Sequence, residues 1–354
     1  MRKKVLFRTG LFALSLLMVI QFTSGTPGGA TKAAPWKFAV LCDNRSNPCV
    51  PGGGVQGVNV EVLGKMAAEV AAEKVDVVLV PGDIALGNGY TCTPPTPPPN
   101  PADQQYQLWR QTMKPVYDSG AKVLPVRGNH EMDKDAVLSD WSSCRKRVPI
   151  ESKLLDAYRS VFNDPYLKKI SPDSQKGLTY ALPHKNALFI GFDQITDQFQ
   201  VDQKWFDRVL AKNKREHLFV FGHYPAFAVK HKDCLACYGA ARDRFWNAIG
   251  NAGGRLYFCG HDHFYDRAII PDAKGRLLQQ VLVGNGGAPF ASTTAPYADP
   301  RVEPAEHIEN AYGYMVVTVD GDSVSAKLKV LDLPSGTWRN ADAFCYAQRR
   351  TAGK

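Results

Sequence analysis

After its first 22 residues the sequence has no further long apolar run, so no membrane span is predicted beyond that point. It also lacks a concentrated stripe of lysine and arginine interleaved with aromatic residues, and a nucleic-acid groove is therefore not indicated. No internal repeat is evident, and no G-x-S-x-G motif marks a serine nucleophile. The chain has 354 residues, of which 44% are hydrophobic and 22% charged, as is ordinary for a folded protein. A chain of this length can build a sizeable core.

The N-terminus has the layout of a secretory signal. Four basic residues precede an apolar run over residues 11–22, and a segment rich in small residues follows. The run is short for a membrane span, which needs about 20 residues. We predict a signal peptide and linker over residues 1–34, with cleavage near Gly25 or among Ala30, Ala33 and Ala34, and export to the periplasm or the medium; retention as a membrane anchor is the alternative. Loss of the four basic residues lowers the net charge from +9 to about +5, which suits an anionic substrate.

Eight cysteines follow the signal segment, and an exported chain can oxidise them. Cys42 and Cys259 end apolar segments and are predicted to be buried thiols. Cys234 and Cys237 form a C-x-x-C motif, which fits a zinc half-site, a redox pair or a disulfide. Because no second C-x-x-C exists, a local or loop-stapling disulfide is favoured. The disulfide candidates, with their pairing left open, are Cys49, Cys92, Cys144, Cys234, Cys237 and Cys345.

The order of the predicted elements indicates the fold class. Strand and helix patterns alternate over most of the chain, and the last third turns to strands. This order is typical of an α/β layered fold with a mixed sheet or two packed sheets. We predict one domain over residues 35–333 and a C-terminal tail over residues 334–354.

Short polar motifs follow five of the predicted buried strands. In open α/β sheets, ligand sites are built at the carboxyl ends of the strands, so these motifs are expected to lie together. The strands at residues 38–42, 77–80, 123–126, 218–221 and 256–259 end respectively in Asp43-Asn44-Arg45, Gly82-Asp83, Gly128-Asn129-His130-Glu131, Gly222-His223 and Gly260-His261-Asp262-His263.

The residue types in these motifs predict a metal site. Carboxylate, amide oxygen and imidazole together suit Zn, Mn or Fe(II). His261 and His263 alternate in sequence, so both can point to one face of an extended segment. A single aspartate at a strand end is more often a helix cap, and a lone histidine is more often a core residue. Their joint occurrence at five strand ends favours the metal site.

These motifs occur in the order seen in the calcineurin-like metallophosphoesterases, and the chain resembles that family over its whole mature length. The sequences of the two histidine motifs are most similar to those of the purple acid phosphatase branch. The resemblance implies a four-layer α/β/β/α sandwich of two mixed sheets and a centre of two divalent ions. It implies that Asp83 bridges the ions and that His130 lies by the leaving group. It assigns Asp43 and His263 to the first ion, and Asn129, His223 and His261 to the second.

The sequence departs from the family pattern at two positions. The family commonly has D-x-H in the first motif, whereas Asn44 and Arg45 follow Asp43 here. The purple branch has a tyrosine three residues after the bridging aspartate, where this chain has Leu86. The first ion therefore lacks an obvious fourth protein ligand. Water or the Asn44 side chain could fill that position. Arg45 fits either a phosphate clamp or a salt bridge outside the site.

The predicted function is metal-dependent hydrolysis of a small-molecule phosphoester, most simply a phosphomonoester, by the catalytic residues His130 and Asp83. Arg45, Asn129 and His130 are the predicted substrate-binding residues. A phosphodiesterase, nucleotidase or pyrophosphatase with the same centre is one alternative. A non-catalytic binding protein with this fold is an alternative of another class, supported only by the altered first motif.

Overall fold

Two mixed β-sheets pack face to face, and helices cover their outer sides. A computed structural model describes residues 34–47, 49, 53–87, 100–132, 144, 153–196, 198–293 and 297–348. The strands are β1 (Trp36–Val40), β2 (Val77–Val80), β3 (Lys122–Pro125), β4 (Tyr180–His184), β5 (Ala187–Phe192), β6 (His217–Gly222), β7 (Leu256–Cys259), β8 (Tyr265–Pro271), β9 (Leu277–Val283), β10 (Glu303–Ile308), β11 (Tyr312–Asp320), β12 (Ser323–Asp332) and β13 (Thr337–Ala347). The α-helices are α1 (Gly53–Gln56), α2 (Val60–Ala72), α3 (Ala102–Thr112), α4 (Lys114–Asp118), α5 (Lys153–Val161), α6 (Gln203–Lys212) and α7 (Gly239–Asn251).

The strand order places four of the five motif-bearing strands at the centres of the two sheets or next to them, and the fifth, β3, at an edge of the first sheet. The first sheet has the order β13-β12-β11-β1-β2-β3, and the second has the order β10-β8-β9-β7-β6-β5-β4. Strands β1, β2 and β3 are parallel, as are β5, β6, β7 and β9. The remaining pairs are antiparallel. Parallel strands carry their carboxyl ends to one edge, and the polar motifs lie there.

Three apolar cores account for the four layers. The core between the sheets includes Phe38, Phe189 and Phe258, whose rings meet edge to face. Helices α2 to α5 cover the outer face of the first sheet, and α6 and α7 cover that of the second. Helix α2 shows how the sequence sets this packing, because Val62, Met66 and Val70 recur at a spacing of four and are all buried. The structure confirms the predicted α/β/β/α sandwich of two mixed sheets.

The C-terminal segment differs from the sequence-based expectation. Residues 334–354 were predicted to be a tail outside the domain, but Thr337–Ala347 form β13, the edge strand of the first sheet. This strand pairs with β12 from Ser323 opposite Ala347 to Asp332 opposite Thr337. Its side chains are mostly half-buried or exposed, so it has the weak apolar signal typical of an edge strand. The compact unit that contains the domain runs from Ala34 to Lys354.

The cysteines follow the predictions in part. Cys144 and Cys237 form a disulfide between segments 93 residues apart, so the second cysteine of the C-x-x-C motif does staple a loop. Cys49 is also in a disulfide. Cys42 and Cys259 are buried thiols, as predicted. Cys234 and Cys345, by contrast, are free in the structure, the first buried and the second exposed, so their inclusion among the disulfide candidates was wrong.

The predicted signal segment, residues 1–34, lies almost entirely outside the described residues. Within the described ranges, no helix combines the length and the apolar character needed to cross a membrane.

Candidate metal centre

The carboxyl ends of β1, β2, β3, β6 and β7 bring the predicted ligands into one place. The backbone N–H of His261, after β7, donates to Asp43 Oδ2 after β1 at 3.2 Å, which joins the edges of the two sheets. Atoms of Asp43, Asp83 and His223 that could ligate a metal ion all lie within 4.8 Å of one another, and all three residues are buried. The side chains predicted from five separate strands therefore face a common point.

The backbone at this point is held in unusual conformations. Asp43, Asp83 and His261 have φ angles of 56°, 48° and 77°, in the left-handed region that non-glycine residues seldom adopt. Such conformations persist only where the surrounding structure enforces them, and they cluster at functional sites. Gly260, which precedes His261, leaves room for the Asp43 carboxylate, since a Cβ on Gly260 would lie 2.2 Å from Asp43 Oδ2.

One half of the centre is formed by Asp83, Asn129, His223 and His261. Asn129 Oδ1 lies 2.8 Å from His223 Nε2 and 2.9 Å from His261 Nδ1. Asp83 Oδ1 lies 3.4 Å from the same His223 nitrogen. Burial lowers the pKa of His223 to about 4, so this imidazole is neutral at pH 7.

The tautomer of His223 follows from its second contact. His223 Nδ1 lies 2.8 Å from the Pro81 carbonyl oxygen, which can only accept, so the ring proton is on Nδ1. The lone pair on Nε2 then faces two further acceptors, Asn129 Oδ1 and Asp83 Oδ1. Three lone pairs that converge in a buried space repel one another unless a cation lies between them. This half of the centre therefore fits a divalent ion, and the imidazole ligands suit Zn, Mn or Fe.

His261 is oriented by Asp233, a residue that the sequence analysis did not select. His261 Nε2 lies 3.2 Å from Asp233 Oδ1, which directs Nδ1 towards Asn129. Carboxylates commonly hold metal-ligating histidines in this way. Burial opposes protonation of His261, but the bond to Asp233 raises its pKa above the usual value. Asp233 stands directly before the C-x-x-C motif in a loop, where no strand pattern could have identified it.

Glu131 joins two of the loops that carry the ligands. Its carboxylate accepts hydrogen bonds from the backbone N–H groups of Asp83, Ala85 and Gly128 at 2.9, 3.1 and 2.7 Å. Burial and the neighbouring Asp83 raise the pKa of Glu131 to about 8, whereas the three N–H groups favour its charged form. The last residue of the G-N-H-E motif is thus a brace that holds the Asp83 loop against the Asn129 loop.

His130, the residue predicted to lie at the leaving group, is beside Asp83. Its backbone N–H donates to Asp83 Oδ1 at 3.0 Å, and its Nδ1 donates to the Leu86 carbonyl oxygen at 2.9 Å. The second ring nitrogen, Nε2, is 3.9 Å from Asp83 Oδ2. Leu86 is fully buried, so at the position where the purple branch has a tyrosine this chain has an apolar side chain whose backbone orients His130.

The other half of the centre contains Asp43, His263 and Arg45. Asp43 Oδ2 accepts from the Cys42 thiol at 2.9 Å, but the buried Oδ1 has no hydrogen-bond partner within the described ranges. His263 Nε2 lies 3.8 Å from that oxygen. Burial and the nearby charge of Asp83 raise the pKa of Asp43 well above its usual value. Arg45, buried at 5% exposure, lies with Nη2 3.3 Å from His263 Nε2.

Asn44 does not face the centre. The indole N–H of Trp109 donates to Asn44 Oδ1 at 3.0 Å, and the Asn44 amide donates to the Gly286 carbonyl oxygen at 3.0 Å. Both ends of the side chain therefore hold the loop in place. Of the two candidates for the missing ligand position, water and Asn44, the structure excludes Asn44. Arg45, for which two interpretations were open, is inside the site.

Comparison with solved structures shows which proteins share the fold. A purple acid phosphatase, PPD1, from yellow lupin (Lupinus luteus) seeds is 14% identical with a TM-score of 0.58, over 89% of this chain and 54% of that protein. The chain thus spans about half of the lupin protein's length. PhoD is 13% identical with a TM-score of 0.59, over 92% of this chain and 72% of PhoD. GAP50, the anchor in the inner membrane complex of Plasmodium, is 14% identical with a TM-score of 0.53, over 90% of each chain. At these identities the likeness shows the fold alone.

No curated protein matched the chain by sequence. The family model described as calcineurin-like phosphoesterase matches residues 57–265, more than half of the chain. The match includes Asp83, Asn129, His223, His261 and His263, and it begins after Asp43. With the two-sheet sandwich and the convergent donors already described, this match shows that the chain belongs to the calcineurin-like phosphoesterase family.

Proposed function

We propose that the protein is a metal-dependent hydrolase of small-molecule phosphoesters, with phosphomonoesters as its main substrates. The observation that carries this proposal is the meeting of Asp83 Oδ1, Asn129 Oδ1 and His223 Nε2 in a buried space beside His130. A divalent ion bound there would supply a Lewis acid that neutralises phosphate oxygens and activates water.

The protein's own groups would position the substrate and transfer a proton. His130 Nδ1 donates to Leu86, so the ring is fixed with Nε2 towards Asp83. In the imidazolium form Nε2 also carries a proton, which it can give to the departing alkoxide, leaving the neutral ring with its proton on Nδ1. General acid assistance of this kind contributes about 10²–10⁴-fold to the rate. Arg45 Nε and Nη1 are buried donors without hydrogen-bond partners among the described residues. The three terminal oxygens and double charge of a phosphomonoester suit such donors.

The first test is turnover of an aryl phosphate monoester, an aryl diester, a nucleotide and pyrophosphate by the metal-free protein supplied in turn with Mn²⁺, Zn²⁺ and Fe²⁺. We expect the monoester to be hydrolysed fastest and EDTA to abolish turnover. If another substrate is hydrolysed fastest, the result would favour the phosphodiesterase, nucleotidase or pyrophosphatase alternative over a monoesterase. No turnover of any of them would favour the binding-protein alternative.

Variants assign the roles within the site. Asp83→Asn and His261→Ala should remove activity in a folded protein. His130→Ala should retain bound metal and lose about 10²–10⁴-fold in kcat. His184→Ala is the matched control, because His184 is bonded to Asp76 at the opposite end of the strands and should keep full activity. A fully active His130→Ala variant would contradict the proposed acid.

We also propose that the chain is exported through its N-terminal segment. The Cys144–Cys237 disulfide supports an oxidising compartment, since disulfides are rare in reducing ones. The test is fractionation of expressing cells followed by N-terminal sequencing of the protein. A mature N-terminus between residues 25 and 35, outside the cytoplasm, is expected. A full-length cytoplasmic chain, or one held in the membrane fraction, would contradict export with cleavage.

A further inference from the structure

Arg45 stands where the family pattern has a histidine, two residues after Asp43, and its guanidinium is inside the centre. Its side chain is buried, and Nη2 lies 3.3 Å from His263 Nε2. An arginine side chain stays protonated at all ordinary pH values. The centre therefore contains a fixed positive charge before any ion is bound.

The tautomer of His263 shows what this charge does. His263 Nδ1 lies 2.8 Å from the Pro289 carbonyl oxygen, which can only accept, so Nδ1 carries the ring proton. The lone pair is then on Nε2, and it accepts the N–H of Arg45. A metal ion needs that same lone pair. Arg45 thus occupies the coordinating atom of His263 with a proton donor.

The two halves of the centre differ in this respect. In the half formed by Asp83, Asn129 and His223, the oxygens Asn129 Oδ1 and Asp83 Oδ1 lie 2.8 and 3.4 Å from His223 Nε2, so the lone pair on that nitrogen meets acceptors and not a proton donor. In the half formed by Asp43 and His263, Arg45 supplies both a proton and a positive charge. A divalent ion on His263 would also lie next to the guanidinium and be repelled by it.

We propose that the centre binds one divalent ion, at Asp83, Asn129, His223 and His261, and that the Arg45 guanidinium takes the place of the second. Asp43 lies near the same histidine, since its buried Oδ1 is 3.8 Å from His263 Nε2 and has no hydrogen-bond partner in the described part of the chain. A substrate phosphate would then lie between a metal ion and Arg45, whose Nε and Nη1 remain available as donors. The inference rests on the proposed metal-dependent function, but it concerns the number of ions and not the reaction.

The test is the metal content of the whole chain. Metal-free protein is titrated with Mn²⁺ by calorimetry, and bound Mn is measured by elemental analysis after dialysis. We expect one Mn per chain for the wild type and two for Arg45→His, which frees His263 and adds the missing imidazole. Arg110→His is the control, because Arg110 is a partly buried arginine paired with Asp164 outside the site; it should bind one Mn. Two tightly bound Mn in the wild type would overturn the proposal, and so would one Mn in a folded Arg45→His variant.

A spectroscopic measurement keeps the test valid if Arg45→His does not fold. Two Mn²⁺ ions about 3.5–4 Å apart, the usual spacing of a pair, couple magnetically. The electron paramagnetic resonance spectrum of the Mn-saturated wild type should instead show isolated Mn²⁺. A coupled spectrum would overturn the proposal.

The outcomes separate this inference from the proposed function. One bound Mn without turnover of any phosphoester would sink the function and leave the single-ion centre standing. Two bound Mn with turnover would overturn the single-ion centre and support the proposed function. A chain that binds no Mn would overturn both.

Discussion

At the scale of single residues, the loops of the centre depend on charges buried far from water. Arg127, just before Gly128, pairs with Asp193 after β5 at 2.6 Å, and both side chains are almost fully buried. The charge of Asp193 raises the pKa of Arg127 against the opposing effect of burial. Because neither charge can reach water, each depends on the other.

We predict that Asp193→Asn lowers the free energy of unfolding by about 3–5 kcal/mol, because it leaves the Arg127 charge buried without its partner. Urea unfolding measures this. The control is Asp207→Asn, which breaks the exposed pair with Arg244 and should cost at most about 1 kcal/mol. Similar costs for the two variants would show that burial of the Arg127 pair does not decide its contribution.

His223 makes the stability of the metal-free protein depend on pH. Its pKa in the folded state is about 4, below the value of about 6.5 in an unfolded chain. The unfolded state therefore binds the proton first as the pH falls, and stability is lost between about pH 6.5 and pH 4. The contribution of this residue falls by about 2 kcal/mol between pH 7 and pH 5.

We predict that His223→Asn, which cannot titrate, removes this part of the pH dependence. In EDTA, the stability difference between wild type and variant should shift by about 2 kcal/mol in the variant's favour from pH 7 to pH 5. Urea unfolding at each pH measures it. A difference that stays constant with pH would mean that His223 does not remain neutral in the folded protein.

At the scale of elements, β13 makes contacts with both sheets. Trp338 packs against Tyr314 with ring centroids 5.1 Å apart. Asp342 accepts from Tyr265 Oη at 2.6 Å and from Arg267 Nε at 2.8 Å, and both partners lie on β8 of the other sheet. The strand thus covers the edge of β12 and also supplies a partner for a charge on the second sheet.

We predict that deletion of residues 334–354 lowers the free energy of unfolding by about 2 kcal/mol or more, since hydrogen bonds to a charged group contribute about 1.5–3 kcal/mol. The uncovered edge of β12 should also promote association through its free backbone groups. Thermal unfolding and light scattering measure the two effects. Arg339→Ala, an exposed change within β13, should lie within about 0.5 kcal/mol of the wild type. A truncated chain as stable and monomeric as this control would show that β13 is dispensable.

At the scale of the whole molecule, the proposed ion site draws its ligands from both sheets. Asp83 and Asn129 follow strands of the first sheet, and His223 and His261 follow strands of the second. An ion that binds only the folded arrangement stabilises all of it. Metal binding is therefore expected to raise the stability of the entire sandwich.

We predict that Mn²⁺ or Zn²⁺ at about 100 times its dissociation constant raises the free energy of unfolding by about 2.7 kcal/mol. Mg²⁺ at the same concentration should have a much smaller effect, because two of the ligands are imidazoles. Differential scanning calorimetry with and without EDTA measures this. Equal stabilisation by Mg²⁺, or the same rise in Asp83→Asn as in the wild type, would contradict binding at this centre.

The sequence by itself determined the five strands, the polar residue at the end of each and the order of the motifs. These features are local: apolar runs form buried strands, and glycine permits the sharp turns that follow them. The same patterns, together with the family resemblance, were sufficient to predict the sandwich. They also predict Asp83, Asn129, His223 and His261 as ligands, and the structure brings these side chains together. Edge strands carry little apolar pattern, which is why β13 was mistaken for a tail.

Only the tertiary structure decided what Asn44, Arg45 and Asp233 do. Asn44 accepts a hydrogen bond from the indole N–H of Trp109, 65 positions away in the sequence. Asp233 contacts His261, 28 positions away, and Arg45 contacts His263, 218 positions away. No spacing in the sequence encodes such contacts, because they arise where the edges of two separate sheets meet. For the same reason, the sequence could show that Arg45 replaces a histidine, but only the folded protein places its charge beside the lone pair that a second ion would need.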